Sequence, residues 1–280
     1  MTSDRSFLPW ALTVLCLTAV GCMDLNDALF NQTRVDHYTL NSAVIPDSAR
    51  TLVQLDAGGK KIYGFFVRSN GTHASYTVLY CHGNRDNLAY YWDRVELLYR
   101  MGFNVFVFDY EGYGMSEGTP SEQALYADGH AALQYLLHSA PVTAKQIVFY
   151  GFSLGNVVTI NLAATEYRPH VLIAEAPFAS AQSLMQSGTV LDIPSSYVME
   201  GSYDNAAKIG RVGAPVLVIH GVNDTFIDID KNGQVVFDHA NPPKRMVRVA
   251  GANHTDIPAV MGDSAYRALV RDFCLFPPAE

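Results

Sequence analysis

Short runs of branched and aromatic residues recur along this chain, each bounded by glycine, proline or polar residues and each too short for an ordinary helix. "TLVQLDA" (51–57) and "KIYGFFVRS" (61–69) flank Gly58-Gly59 and read as an antiparallel hairpin. "YTVLYCHG" (76–83), "FNVFVFDY" (103–110), 147–152, "HVLIAEAP" (170–177), "APVLVIHG" (214–221) and "KRMVRVAG" (244–251) follow as single strands. Between them the apolar positions switch to helical spacing. This happens over 88–101, over 121–140 with Ser121 as N-cap, after Leu154, over 202–212, near 229–239 and over 259–272. Eight strands alternating with helices predict an α/β fold, a mostly parallel eight-stranded sheet covered on both faces. In such sheets ligands bind beyond the carboxyl ends of the strands, so chemistry is sought there.

Composition narrows this picture in three ways. At 280 residues, 49% hydrophobic and 16% charged, the chain can bury one sizeable core and needs no second domain. A formal net charge of −8 without a Lys/Arg cluster speaks against nucleic acid as a partner. The N-terminus stands apart: after Arg5 come fourteen mostly apolar residues, "FLPWALTVLCLTAV", then Gly21 and Cys22. That suits a signal-peptide core and is short for a membrane span. "AVGC" resembles a bacterial lipobox, departing from it at Ala19, and Asp4 weakens the basic flank. Residues 1–22 are therefore expected to be a signal peptide with Cys22 lipidated, placing the protein on the bacterial cell envelope with the membrane as a partner. A plain secretory signal giving a secreted or periplasmic protein, an uncleaved anchor, or a buried N-terminal helix are the alternatives. Residues 23–48, polar and mixed, are expected to form a tether, and 49–280 the domain. Cys81 and Cys274 lie too far apart in sequence to imply a disulfide framework.

"IVFYGFSLGNVVTINLA" (147–163) carries the chemistry. A buried strand runs into a helix through G-x-S-x-G, so Ser153 sits on the turn with Gly151 and Gly155 leaving room around it. The helix that follows brings free N–H groups and a positive dipole end to its hydroxyl. Serine is a poor nucleophile until a base takes its proton and a carboxylate orients that base. Asp224 follows the strand "VLVIHG", and His254 follows the last strand on a glycine-rich loop. Asp228, Asp230 and Glu175 compete for the acid's place, with Glu175 as runner-up. The oxyanion formed on attack needs donors. The N–H of Leu154 is one, and "CHGNRDN" (81–87) offers the second from Asn84, with Arg85 as the alternative. His82 is read as a support for that loop.

In this order, "HGN", "FDYEGYGMSEG", "GFSLG", "APF", "APVLVIHGVNDTFI" and "GANH" resemble the motifs of the α/β-hydrolase superfamily, in particular its small serine hydrolases with an HGN-type oxyanion loop. The resemblance spans about residues 50–275. It implies a Ser153–Asp224–His254 triad, no metal or organic cofactor, and a short cap after the sixth strand, about 178–201, with Leu184 and Met185 among its lining. Glu111 and Asn156 depart from the family pattern, and Asn156 puts the packing of the helix after Ser153 in question. The activity implied is hydrolysis of small to medium carboxylic esters or thioesters through an acyl-enzyme. A peptidase or amidase of the same fold is the enzymatic alternative, and a lipid-anchored binding protein without turnover is the alternative of another class.

Overall fold

Each of the eight apolar runs forms a strand in the computed structural model, which describes residues 29–140, 146–187 and 201–279. The signal segment with Cys22, residues 23–28 of the tether and most of the cap (188–200) lie outside the described residues. In chain order the strands are β1 (Arg50–Ala57), β2 (Lys60–Val67), β3 (Thr77–Cys81), β4 (Asn104–Phe108), β5 (Ile147–Phe152), β6 (Leu172–Glu175), β7 (Val216–Gly221) and β8 (Lys244–Val249). They form one sheet in the order β1-β2-β4-β3-β5-β6-β7-β8. The β1/β2 and β2/β4 pairs are antiparallel and all later pairs are parallel. The first hairpin turns through Gly58 and Gly59, both with positive φ, as a right-twisted two-residue loop requires.

The central strands are buried on both faces, and side-chain alternation sorts them into two cores. Leu79, Cys81, Phe149, Leu172 and Val218 face α2 (Glu122–His138) and α3 (Gly155–Thr165). Val78, Tyr80, Val148, Tyr150 and Ile219 face α1 (Trp92–Arg100) and the C-terminal α8 (Asp263–Leu275). Four shorter helices complete the described set: α4 (Ala181–Ser187), α5 (Asn205–Ile209), α6 (Gly233–His239) and α7 (Ile257–Met261). The helix expected over 259–272 is thus two helices, parted at Gly262, whose φ of 78° breaks the ladder. Ser121 caps α2 by accepting from the Ala124 N–H at 3.0 Å, as expected. α3 is buried from Gly155 to Ala163 on every side, which is why its sequence shows so little polar face.

Residues 29–48 differ from a free tether. Asn31–Gln32 pairs in parallel with Arg85–Asp86, Arg34 bridges to Gly114, and Tyr38 donates to buried Asp109 at 2.6 Å. Leu29, Phe30 and Ile45 also bury their side chains in the two cores, but a few apolar residues scattered among polar ones make no strand or helix period. The sheet order reverses around β3, which lies between β4 and β5. The loops leaving β3 and β5 therefore open side by side, with Cys81 in register with Gly151. This is the crevice where sheets of this kind bind ligands.

Candidate active site

Ser153 stands at the end of β5 with φ of +52°, a left-handed conformation that costs a residue with a Cβ on the order of 1–3 kcal/mol. The surroundings over-determine it. Its N–H donates to the Glu175 carbonyl at 3.0 Å, and its own carbonyl accepts from the Asn156 N–H at 3.1 Å. A Cβ on Gly155 would lie 1.9 Å from the Cys81 carbonyl oxygen, and one on Gly151 2.5 Å from Thr159 Oγ1. Only glycines let α3 seat this closely on the sheet. Asn156 braces the turn: its Nδ2 donates to the carbonyls of Ser153 at 3.0 Å and Glu175 at 2.9 Å. The departure from the family pattern therefore tightens the turn.

His254 Nε2 lies 3.0 Å from Ser153 Oγ, and its Nδ1 lies 2.8 Å from Asp224 Oδ2. With Nδ1–H donating to the carboxylate, Nε2 is left to accept from the serine hydroxyl. The ring is held between Phe152 and Phe226, at centroid distances of 5.3 and 5.0 Å, and the side chain keeps 13% exposure toward the pocket. Asn253 couples the two loops, its Oδ1 accepting from the N–H groups of His254 and Thr225. Asp224 Oδ1 accepts from the N–H groups of Phe226 at 2.9 Å and Ile227 at 2.7 Å. Burial works to raise the Asp224 carboxyl, but hydrogen bonds from His220 and His254 outweigh it and hold it well below the usual carboxylate range. His220, wholly buried on β7, lies with Nε2 3.1 Å from Asp224 Oδ2 and 2.9 Å from the Ile227 carbonyl, so Nε2 carries its proton.

The other carboxylates that competed for this place are occupied elsewhere. Glu175 is fully buried and receives Arg94 Nη1, Tyr150 Oη and Tyr266 Oη, the last at 2.6 Å. Asp228 accepts from the Lys231 N–H, and Asp230 pairs with Arg248 at 2.7 Å. His82 sits between the Gly83 carbonyl at 2.8 Å and Asp109 at 3.1 Å, supporting its loop.

On that loop the Arg85 N–H is taken, donating to Tyr91 Oη at 3.0 Å. The N–H groups of Asn84 and Leu154 donate to no acceptor among the described residues, and both are free to meet a ligand. The Asn84 carbonyl accepts from the Asn31 N–H at 3.1 Å and Tyr113 Oη at 2.9 Å, which fixes the peptide. Asp109 anchors the loop from beneath through Leu88 N–H at 2.7 Å and Tyr38 Oη. A cavity of about 490 Å³ opens onto these groups, lined by Asn31, Asn84, Arg85, Tyr90, Tyr91, Phe152, Ser153, Phe226, His254 and Thr255. Leu184 and Met185 are not on it. Leu184 is buried in the core, and Met185 borders a separate cavity with Gly201 and Asp204. Arg94 and Asn31 are supports outside every motif, and Asp109 and His220 lie within motifs that gave no sign of their supporting role. Arg94 lies on a helix whose charges look solvent-facing at helical spacing.

A family model described as serine aminopeptidase, S33, matches residues 72–196. YfhR of Escherichia coli (strain K12) is 30% identical over 237 residues, covering 82% of each chain. The human alpha/beta hydrolase domain-containing protein 17B is 32% identical over 215 residues, 75% of this chain and 71% of that one. Among solved structures, the Pyrococcus furiosus esterase Pf2001 shares the fold with a TM-score of 0.70 at 19% identity, over 88% of this chain and 96% of that one. With a nucleophile-elbow serine, a histidine and a carboxylate brought together at the strand ends of this fold, the chain belongs to the α/β-hydrolase family of serine hydrolases.

Proposed function

We propose that this protein hydrolyses carboxylic esters or thioesters of small to medium acyl groups through an acyl-enzyme. The observation that carries the reading is the unbroken relay from Ser153 Oγ through His254 to Asp224, at 3.0 and 2.8 Å. As Ser153 Oγ bonds to the carbonyl carbon, its proton passes to His254 Nε2, and Asp224 stabilises the resulting imidazolium. The oxyanion takes hydrogen bonds from the N–H groups of Asn84 and Leu154. Collapse expels the alcohol or thiol, which receives the proton from His254. Water, deprotonated by the same nitrogen, then releases the acid and regenerates the serine.

The peptidase reading draws on the name of the family model. Against it, the described lining offers no carboxylate to take the ammonium group of a free peptide N-terminus, and its walls are aromatic. A fluorophosphonate probe labels Ser153 in the native protein, and Ser153→Ala abolishes labelling and lowers turnover of p-nitrophenyl acetate by at least about 10³-fold. A folded Ser153→Ala variant with near wild-type turnover overturns the assignment. Across p-nitrophenyl esters, efficiency peaks between acetate and hexanoate and falls by dodecanoate.

The "LTAVGC" stretch supports a lipid anchor on Cys22 and a place on the bacterial envelope. No helix among the described residues is long and apolar enough to cross a membrane. Mass spectrometry of the native protein finds lipid on an N-terminal Cys22 if this is right, and an unmodified cysteine if it is not.

A further inference from the structure

Among the described residues, the lining of the Ser153 pocket is one-sided in charge. Besides His254, its described residues supply one ionic side chain, Arg85, and no carboxylate. Arg85 is exposed, yet it is held. Its backbone pairs with Asn31, and its own N–H is spent on Tyr91. The guanidinium lies over the Tyr90 ring at 5.5 Å while Nη1 donates to Tyr90 Oη at 3.1 Å. Among the described residues no carboxylate forms an ion pair with it. The adjacent Asp86 accepts from Thr33 Oγ1 at 2.9 Å instead. Tyr90 thus orients the planar fork and leaves its remaining N–H groups unspent.

We propose that the substrate carries an anionic group, a carboxylate or a phosphate, and that Arg85 selects for it. This rests on the serine-hydrolase reading above. Arg85 lines the same cavity as Ser153 and directly follows Asn84, whose N–H faces the oxyanion in that reading, so a substrate seated on Ser153 shares that cavity with Arg85. Arginine presents paired donors matched to two oxygens of a carboxylate or phosphate. Charges farther off than a Debye length, about 8 Å in physiological salt, are screened, so the chain's net charge of −8 does not cancel the attraction of a cation on the lining itself.

The test compares matched esters that differ in charge and share the reacting bond. Mono-p-nitrophenyl glutarate, set against its methyl ester, places a carboxylate on the acyl side. 4-Acetoxyphenyl phosphate, set against its dimethyl ester, places a phosphate on the leaving side. The readout is the ratio of kcat/KM for the charged over the blocked ester, whatever happens to either alone. In the wild type this ratio exceeds one by about fivefold in at least one arm, the size of an exposed charge pair. Arg85→Gln brings it to about one, Arg85→Lys keeps part of it, and 0.5 M NaCl reduces it in the wild type and not in Arg85→Gln. The arm that shows the preference identifies the side and the kind of anion. Turnover with a ratio near one in both arms, or a ratio that Arg85→Gln leaves untouched, overturns the proposal and leaves the hydrolase reading standing. Absence of turnover in every ester, with no labelling of Ser153, overturns both.

Discussion

Two buried carboxylates stand at the ends of neighbouring strands, and their surroundings assign them opposite work. Asp224, just beyond β7, meets two histidines and two backbone N–H groups, and one of those histidines reaches a serine. Glu175, the last residue of β6, meets an arginine and two tyrosines, and none of these groups reaches the pocket's serine. Both satisfy the rule that a buried charge must be paired. What separates them is the partner: imidazole can pass a proton on near neutral pH, whereas guanidinium and phenol cannot. The Arg94–Glu175 pair joins α1, β6 and α8, and Arg94 Nη2 also donates at 2.8 Å to the carbonyl of Thr255, the residue after His254. Glu175 therefore ties α1, β6 and α8 together beside the loop that carries His254.

The comparison is broken most directly by exchanging each carboxylate for its amide. Asp224→Asn removes the acceptor that sets the His254 tautomer, and kcat falls by about 10⁴-fold while circular dichroism stays native. Glu175→Gln, assayed per folded molecule, loses no more than about tenfold. Equal losses in the two variants would show that the roles are not divided as described.

A stability measurement sharpens the contrast next. Arg94→Met leaves the Glu175 charge buried beside two tyrosines, and urea denaturation registers a loss of about 3–5 kcal/mol. Adding Glu175→Leu to that variant recovers part of it, because the unpaired charge is then gone. A double variant as unstable as the sum of the singles would mean the two side chains do not act as a pair.

The smallest effect is in the acid limb of stability. The folded Asp224 carboxyl is depressed below its unfolded value of about 3.9, so its contribution is complete above that pH. As pH falls further, the unfolded chain takes up a proton that the folded protein refuses, and stability declines toward the folded value. Asp224→Asn flattens the stability curve in that window, and denaturation at pH 3 and pH 5 measures it. An unchanged slope would deny that Asp224 is the depressed group.

How much of this was legible in the sequence follows from which features repeat. The strands were, since β3 through β7 are buried on both faces and leave uninterrupted apolar runs. The elbow was, because Gly151 and Gly155 are required by contacts with Thr159 and Cys81 that no side chain could share. Asn84 and Arg85 are equivalent in sequence, and only the Tyr91 hydroxyl, which takes the Arg85 N–H, distinguishes their backbones. His220 was hidden because it looks like one more residue of an apolar strand, and Leu184 because apolar spacing does not distinguish a pocket wall from a core. The docking of Asn31–Gln32 has no sequence signature, because its pairing bonds come from the main chain and only Leu29 and Phe30 beside it are apolar.

That docking sets a length. A free tether over residues 23–48 could reach about 90 Å when extended, enough to let the domain roam well clear of any surface. Because the chain is already fastened at Leu29, whose carbonyl accepts from Asn84 Nδ2 at 2.8 Å, only residues 23–28 remain between Cys22 and the domain. If Cys22 carries lipid, as proposed, the leash from bilayer to domain is no longer than about 25 Å. Its fixed end lies two residues from Asn31, on the wall of the pocket itself. The docked segment therefore cuts the span available between Cys22 and the pocket wall from about 90 Å to about 25 Å, whatever Cys22 carries.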